Sequence, residues 1–496
     1  MNERSTHLRV VTDAGEVLGR EVDGVSTWRG IPYAAPPVGP DRFRAPKRAT
    51  PWSGVLNAHE YGPHSVQPSV KSSEDCLLLN VVTPLGAPND DQPPRAVMVF
   101  VHGGGYSGGS SASGLYGGSS LVRRGDIVYV SLNYRLGALG YLDFSRYSTP
   151  ERTFDSNLGL RDQVAALEWV RRNIAAFGGD PDNVTLFGES AGGGAVTTLM
   201  TTPAAEGLFT RAIAQSPWSA AVYGADRAAR WAHEFIETAG VDDAEACDWL
   251  STTEPKRLAE IGRTLAGRVA DDEPGTRVFA PTVDSDFLPE HPMDVFAAGK
   301  AHPVPLIVGT NAHEGRVFPF FLNILPTDRN RIERMFAGAD SAVVQKILDA
   351  YPKYPKRFAA ADLGGDMMFW LPSIAVTEGH SRTAPTYSYR YDFATRLLRI
   401  TGFGATHATE MYAVFGLSGL WRRVLTLLGG ADAFARVTDS VQNHWLHFTK
   451  HGAPESDWPT YDAEDRKTLL FDDVDRVERD PRRHRRLAWE GYEYPR

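Results

Sequence analysis

Four short runs of mostly apolar residues do most to limit how this chain can fold: 97–101 (VMVFV), 127–132 (IVYVSL), 184–187 (VTLF) and 305–308 (PLIV). A strand with one wet face alternates apolar and polar residues. These runs do not alternate cleanly and are rich in β-branched residues, so they read as strands buried on both faces, as in a parallel sheet covered by helices. Between the second and third runs, Leu160, Val164, Leu167, Val170 and Ile174 recur at helical spacing. That spacing predicts an amphipathic helix over 160–177 with its apolar stripe on the sheet. Strands alternating with helices predict an α/β fold with a central, mostly parallel sheet flanked by helices.

The chain of 496 residues is long enough for two or three domains. No linker of Pro, Gly or Ser divides it, and residues 1–496 are expected to form one α/β domain. Two helical stretches, at about 226–275 and 320–380, lack a strong buried-strand run and read as insertions above the sheet. With 42% hydrophobic and 23% charged residues, the chain can bury a large core without disulfides or a structural metal. The formal net charge of −9 argues against a nucleic-acid partner and against an anionic membrane surface. A basic cluster, Arg482, Arg483, His484, Arg485 and Arg486, is flanked by Glu478, Asp480 and Glu490 and reads as a solvated face. Two cysteines, Cys76 and Cys247, make no disulfide framework, and no Cys/His metal spacing is present, so neither metal nor cofactor is expected. The first residues carry no apolar signal segment, and no stretch reaches the ~18–20 apolar residues of a membrane span. A cytoplasmic protein, monomer or homodimer, is the expectation.

The chemistry lies in Gly188-Glu189-Ser190-Ala191-Gly192, which fits G-x-S-x-G. A strand pattern precedes it, and small then apolar residues follow, as a buried helix requires. A serine hydroxyl is a weak nucleophile and must be presented to a base in fixed geometry. A sharp strand-to-helix turn does this, and the helix N-terminus behind it favours a developing negative charge. Upstream, His102-Gly103-Gly104-Gly105-Tyr106 directly follows the first strand pattern. It is the glycine loop expected to supply backbone N–H groups to an oxyanion. Gly104, Gly105 and Ala191 are the expected donors. A phosphate-binding loop is disfavoured, because the stretch lacks G-K-[ST] and no G-x-G-x-x-G opens a helix here.

In chain order the acid should follow the serine and the base should come last. Glu314, in the loop after the 305–308 strand, is the candidate acid, with Asp284 and Asp286 as alternatives. His407 lies in a glycine-containing loop after the 386–393 strand pattern. It is the candidate base among 14 histidines, ahead of His380 and His451.

Several longer segments carry a resemblance. Arg29-Gly30-Ile31-Pro32-Tyr33-Ala34, Ser73-Glu74-Asp75-Cys76-Leu77-Leu78-Leu79-Asn80-Val81, Asn133-Tyr134-Arg135-Leu136-Gly137, Phe187-Gly188-Glu189-Ser190-Ala191-Gly192-Gly193, Thr310-Asn311-Ala312-His313-Glu314-Gly315 and His407 with Glu410 resemble the type-B carboxylesterases. That family includes bacterial p-nitrobenzyl esterases and the cholinesterases. The resemblance runs through nearly the whole chain. It implies an α/β-hydrolase fold and a serine carboxylesterase acting on small-molecule esters of short to medium chain length. It also implies Ser190, Glu314 and His407 as catalytic residues. Departures are informative. Cys76 has no upstream cysteine, so the bridge of eukaryotic members cannot form, and residues 65–71 lack the choline-binding tryptophan of cholinesterases. Gln215-Ser216-Pro217-Trp218 carries proline where the family often has glycine, in a segment resembling the acyl-pocket wall.

Tyr106, Glu189, Trp218 and Phe318 are expected around the substrate, with Tyr116, Phe320 and Phe321 as further aromatic candidates for an apolar pocket. The same machinery would serve an amidase, a thioesterase or a lipase. A non-catalytic binding protein of this fold is the alternative from another class.

Overall fold

The computed structural model describes residues 8–68, 70–87 and 93–495. The buried runs become the middle of an 11-stranded sheet. In chain order its strands are β1 (Arg20–Val22), β2 (Val25–Pro32), β3 (Leu78–Pro84), β4 (Arg95–Val101), β5 (Val128–Leu132), β6 (Gly179–Glu189), β7 (Arg211–Gln215), β8 (Leu306–Asn311), β9 (Thr386–Tyr391), β10 (Lys467–Phe471) and β11 (Arg476–Arg479). Across the sheet they lie in the order β11-β10-β9-β8-β7-β6-β4-β5-β3-β2-β1. Pairing is parallel from β5 through β10 and antiparallel at both edges. The apolar runs fall at the centre because both faces there are covered. Val97, Val99 and Val101 face one core layer and Met98 and Phe100 the other.

The amphipathic stretch forms α1 (Leu158–Asn173), with a tighter turn over Ile174–Phe177. After the elbow comes α2 (Ala191–Leu199), buried along its whole length. The first expected helical stretch contains α3 (Ala225–Ala239), α4 (Ala246–Thr252) and α5 (Pro255–Asp272). The second contains α6 (Arg329–Met335), α7 (Ser341–Asp349), α8 (Arg357–Gly365) and α9 (Leu371–His380), with a wide turn at Asp366–Trp370 joining the last two. Among the described residues no helix is long and apolar enough to cross a membrane.

The C-terminal basic cluster departs from expectation. Arg482 donates to the Ala312 carbonyl and lies by Asp366, Arg485 pairs with Asp366 at 2.9 Å, and Arg486 pairs with Asp480 at 2.7 Å. Asp366 is 3% exposed, and a buried carboxylate needs cations beside it. The run is therefore half buried against the wide turn, and only Arg483 and His484 face water.

Candidate active site

The elbow sits where β6 turns into α2. Ser190 has φ 61° and ψ −123°, a sparsely populated backbone conformation for a residue with a side chain. The turn is held by the Ser190 N–H donating to the Gln215 carbonyl of β7 at 2.9 Å. Its flanking glycines answer to crowding. A Cβ on Gly192 would stand 2.1 Å from the Val101 carbonyl oxygen, and one on Gly188 would stand 2.6 Å from the Gly192 carbonyl.

The glycine loop after β4 lies directly against this turn. A Cβ on Gly103 would meet Ser190 Cβ at 3.1 Å. Gly104 has φ 114°, and a side chain there would collide with the Gly108 carbonyl oxygen at 2.2 Å. Among the described residues the backbone N–H groups of Gly104, Gly105 and Ala191 donate to no protein acceptor. Three donors left open beside a serine, on buried Gly105 and Ala191 and on exposed Gly104, are what an oxyanion requires.

Glu314 and His407 come from loops after neighbouring parallel strands, β8 and β9. The loops are joined: His313 N–H donates to the Ala405 carbonyl at 2.8 Å, and Val317 N–H to Thr406 Oγ1 at 3.1 Å. Asp362 of α8 secures the first loop through His313 and Arg316. As a result His407 Nδ1 lies 2.6 Å from Glu314 Oε2. The other oxygen of Glu314 accepts from the Asn311 N–H at 2.5 Å and from Ser216 Oγ at 2.7 Å. Both oxygens of this buried carboxylate are thus occupied, which fixes its orientation.

The alternatives are engaged elsewhere. Asp284 accepts from Ser156, Asn157 and the N–H groups of residues 286–288, while Asp286 pairs with Arg161. His380 Nε2 meets the Val304 carbonyl, and His451 is exposed beside His447.

His407 Nε2 is buried and has no hydrogen-bond partner among the described residues. Its nearest charged neighbour is Glu189 Oε1, at 3.1 Å. No hydrogen bond joins it to Ser190 Oγ, and catalytic bonds of this kind often tighten only once substrate arrives. A further acid, Glu410, accepts from Asn311 Nδ2 at 2.5 Å, so Asn311 links two carboxylates. Burial pushes Glu189 up to about 7 and Glu410 up to about 8. Burial pulls His407 down, but the charges of Glu189 and Glu314 outweigh it and hold the imidazole at about 9. At Glu410 the nearby charge of Glu189 adds to burial in disfavouring the charged form.

The aromatic candidates separate. Phe318 lies 5.1 Å from the His407 ring and Phe369 4.5 Å, and Trp218 packs on Phe369 at 5.8 Å. Tyr106 is instead in the core against Tyr141, Tyr116 packs on Phe100 and Phe415, and Phe321 is 80% exposed, so these three are not beside the imidazole. Phe320 packs on Phe403 and Arg357. A cavity of about 460 Å³ opens beside Gly104, lined by Ser107, Arg277, Phe279, Leu322 and Ile324 among others. None of the expected pocket residues lines it. Ser216 and Asn311 lie in segments that carry the resemblance, but their hydrogen bonds to Glu314, and the place of Phe369 against His407, are visible only in the fold.

Comparison with known proteins shows the family and the fold. The carboxylesterase family model matches residues 6–489. The chain is 37% identical to the para-nitrobenzyl esterase of Bacillus subtilis (strain 168), covering 97% of this chain and 98% of that protein. It is 33% identical to the phenmedipham hydrolase of Pseudarthrobacter oxydans over 93% and 94% of the two chains. A solved PNB esterase superposes with a TM-score of 0.85 at 36% identity, over 98% of this chain and 100% of that one. A Geobacillus stearothermophilus carboxylesterase gives 0.83 at 30%, over 97% and 100%. The α/β-hydrolase fold and the whole-length match together establish that this chain belongs to the carboxylesterase family.

Proposed function

We propose that the protein hydrolyses carboxylic esters of short to medium chain length through an acyl-enzyme on Ser190. The observation that carries the reading is the 2.6 Å contact between Glu314 and His407, in loops that sit over the strained Ser190 turn. In the first step Ser190 Oγ attacks the ester carbonyl carbon while His407 Nε2 takes its proton. Glu314 orients the imidazole and stabilises its cation. The N–H groups of Gly104, Gly105 and Ala191 hold the oxygen as it becomes negative. Collapse of this intermediate expels the alcohol, which receives the proton from His407. Water then attacks the acyl-enzyme, again through His407, releasing the acid and free Ser190. These steps draw on no metal or cofactor. A purely binding role is not favoured, because all three positions of the triad are filled.

Trp218, Phe318 and Glu189 remain the proposed contacts for substrate or imidazole; Tyr106, buried against Tyr141, is better assigned to packing. The reading includes a single catalytic domain with helical insertions. It also includes a cytoplasmic location, supported by two free, buried thiols, Cys76 and Cys247. A monomer or homodimer is proposed, which light scattering would assign.

The test of substrate class is kcat/KM on p-nitrophenyl acetate, butyrate, octanoate and palmitate. The maximum should fall at butyrate or octanoate. A maximum at palmitate, rising above its solubility limit, would identify a lipase instead. A pH series probes the proton balance. The rate should fall on the acid side as His407 becomes protonated. Glu189→Gln removes a carboxylate 3.1 Å from Nε2 and weakens the hold on the imidazolium. The acid limb of kcat/KM should then move to lower pH, by about one unit. A limb that stays or moves to higher pH would show that Glu189 does not charge-stabilise His407.

A further inference from the structure

Arg277 is 3% exposed and has no carboxylate partner among the described residues. Nearby acids in the sequence are engaged elsewhere: Asp271 pairs with Arg331, and Glu273 with Arg227 and Arg230. The Arg277 guanidinium lies over the Trp218 ring at 5.1 Å and donates one hydrogen bond, from Nη2 to the Gly105 carbonyl at 2.8 Å. Its Nε is buried without a partner. A guanidinium has five N–H donors in a planar fork, so most of this one's hydrogen-bonding capacity is unused.

The surroundings make this informative. Arg277 lines the cavity of about 460 Å³ that opens beside Gly104, and Arg263 of α5 lines the same space. The described lining contains these two arginines and no Asp or Glu, in a chain of net charge −9. The rest of it is glycine, small polar and apolar, including Phe279, Leu322 and Ile324. Burying a cation without an anion is costly. Burial pulls Arg277 down to about 10, which leaves it charged at neutral pH.

We propose that the cavity beside Gly104 is a subsite for a carboxylate carried by the ester substrate, with Arg277 as its principal ligand and Arg263 at its mouth. The proposal rests on the esterase reading above and narrows it to anionic esters. The Arg277 fork matches a carboxylate in two parallel hydrogen bonds. Its bond to Gly105 places the anion site one residue from Gly104, so a substrate held there by its carboxylate brings its ester group to the glycine loop. A site built around a buried charge also rejects neutral isosteres, because they leave that charge unpaired.

The test compares esters matched in shape. Monoethyl glutarate carries the anion on the acyl half, and ethyl 5-oxohexanoate is its neutral counterpart. Likewise 4-butyryloxybenzoate carries the anion on the leaving half, and 4-butyryloxyacetophenone is neutral. For wild type, kcat/KM should favour the anionic member of one pair by about 10- to 100-fold, as expected for a charge-assisted hydrogen bond. In Arg277→Gln that ratio should fall by a similar factor, while Arg277→Lys, which keeps the charge but not the fork, should keep part of it. Using the ratio divides out any general loss caused by loosening Gly105. The proposal is overturned if wild type is slower on both anionic esters than on their counterparts, an outcome that needs no variant. It is equally overturned if Arg277→Gln slows both members of a pair alike, because Arg277 would then only anchor Gly105. Hydrolysis of p-nitrophenyl butyrate by wild type is the control. If that is absent, the esterase reading fails rather than the subsite.

Discussion

Replacing Ser190 with alanine should lower kcat on p-nitrophenyl butyrate by about 10⁴- to 10⁶-fold, the range seen when a serine hydrolase loses its nucleophile. The loss should be purely chemical. The Ser190 hydroxyl makes no hydrogen bond to the rest of the described protein, and the bonds that hold the turn run through its backbone N–H and C=O. Alanine tolerates the 61° φ no worse than serine. The far-ultraviolet spectrum and melting temperature should therefore match wild type while turnover disappears. Residual activity within tenfold of wild type would place the nucleophile elsewhere and remove the basis for the proposed mechanism.

Glu314→Gln should cost about 10⁴-fold in kcat with little change in KM, as when the acid of such a triad becomes an amide. The reason lies in the donors that surround it. Oε1 faces the Asn311 N–H and the Ser216 hydroxyl, and Oε2 faces His407 Nδ1. A glutamine must turn its NH2 toward one side or the other. Toward His407, it forces Nδ1 to accept and puts the ring proton on Nε2, the atom that must remove the serine proton. Toward Asn311, it sets donor against donor in a buried site. Steady-state kinetics on the same ester, with binding of an unreactive analogue as a control for the pocket, would measure this. A loss smaller than tenfold would mean that Glu189, 3.1 Å from Nε2, suffices to orient the ring.

Much of the candidate site could be read from the chain because backbone demands are local. A serine at an unfavourable φ between two crowded glycines, and three glycines directly after a buried strand, leave marks on neighbouring residues. The same holds for the apolar runs, whose lack of alternation reports burial on both faces of β4 to β8. The basic run at 482–486 shows where local reading fails. Charge density alone suggested water, but Asp366 and the Ala312 carbonyl turn Arg482 and Arg485 inward, and Asp480 holds Arg486.

The sequence by itself determined the α/β layering, the elbow at Ser190 and the glycine loop at Gly103–Gly105, since each depends on residues a few positions apart. Only the tertiary structure decided which acid meets which base. Glu314 and His407 are 93 residues apart, and they meet because β8 and β9 are adjacent and the loops beyond them are hydrogen-bonded together. By resemblance to a family Glu314 could be preferred over Asp284 and Asp286, but in the fold those two are committed to their own turn and to Arg161. Asn311, Ser216, Glu189 against Nε2 and Arg277, with no carboxylate partner among the described residues, were likewise set by packing. Their roles depend on what long-range folding places within about 3 Å, the distance at which a hydrogen bond or a buried charge acts.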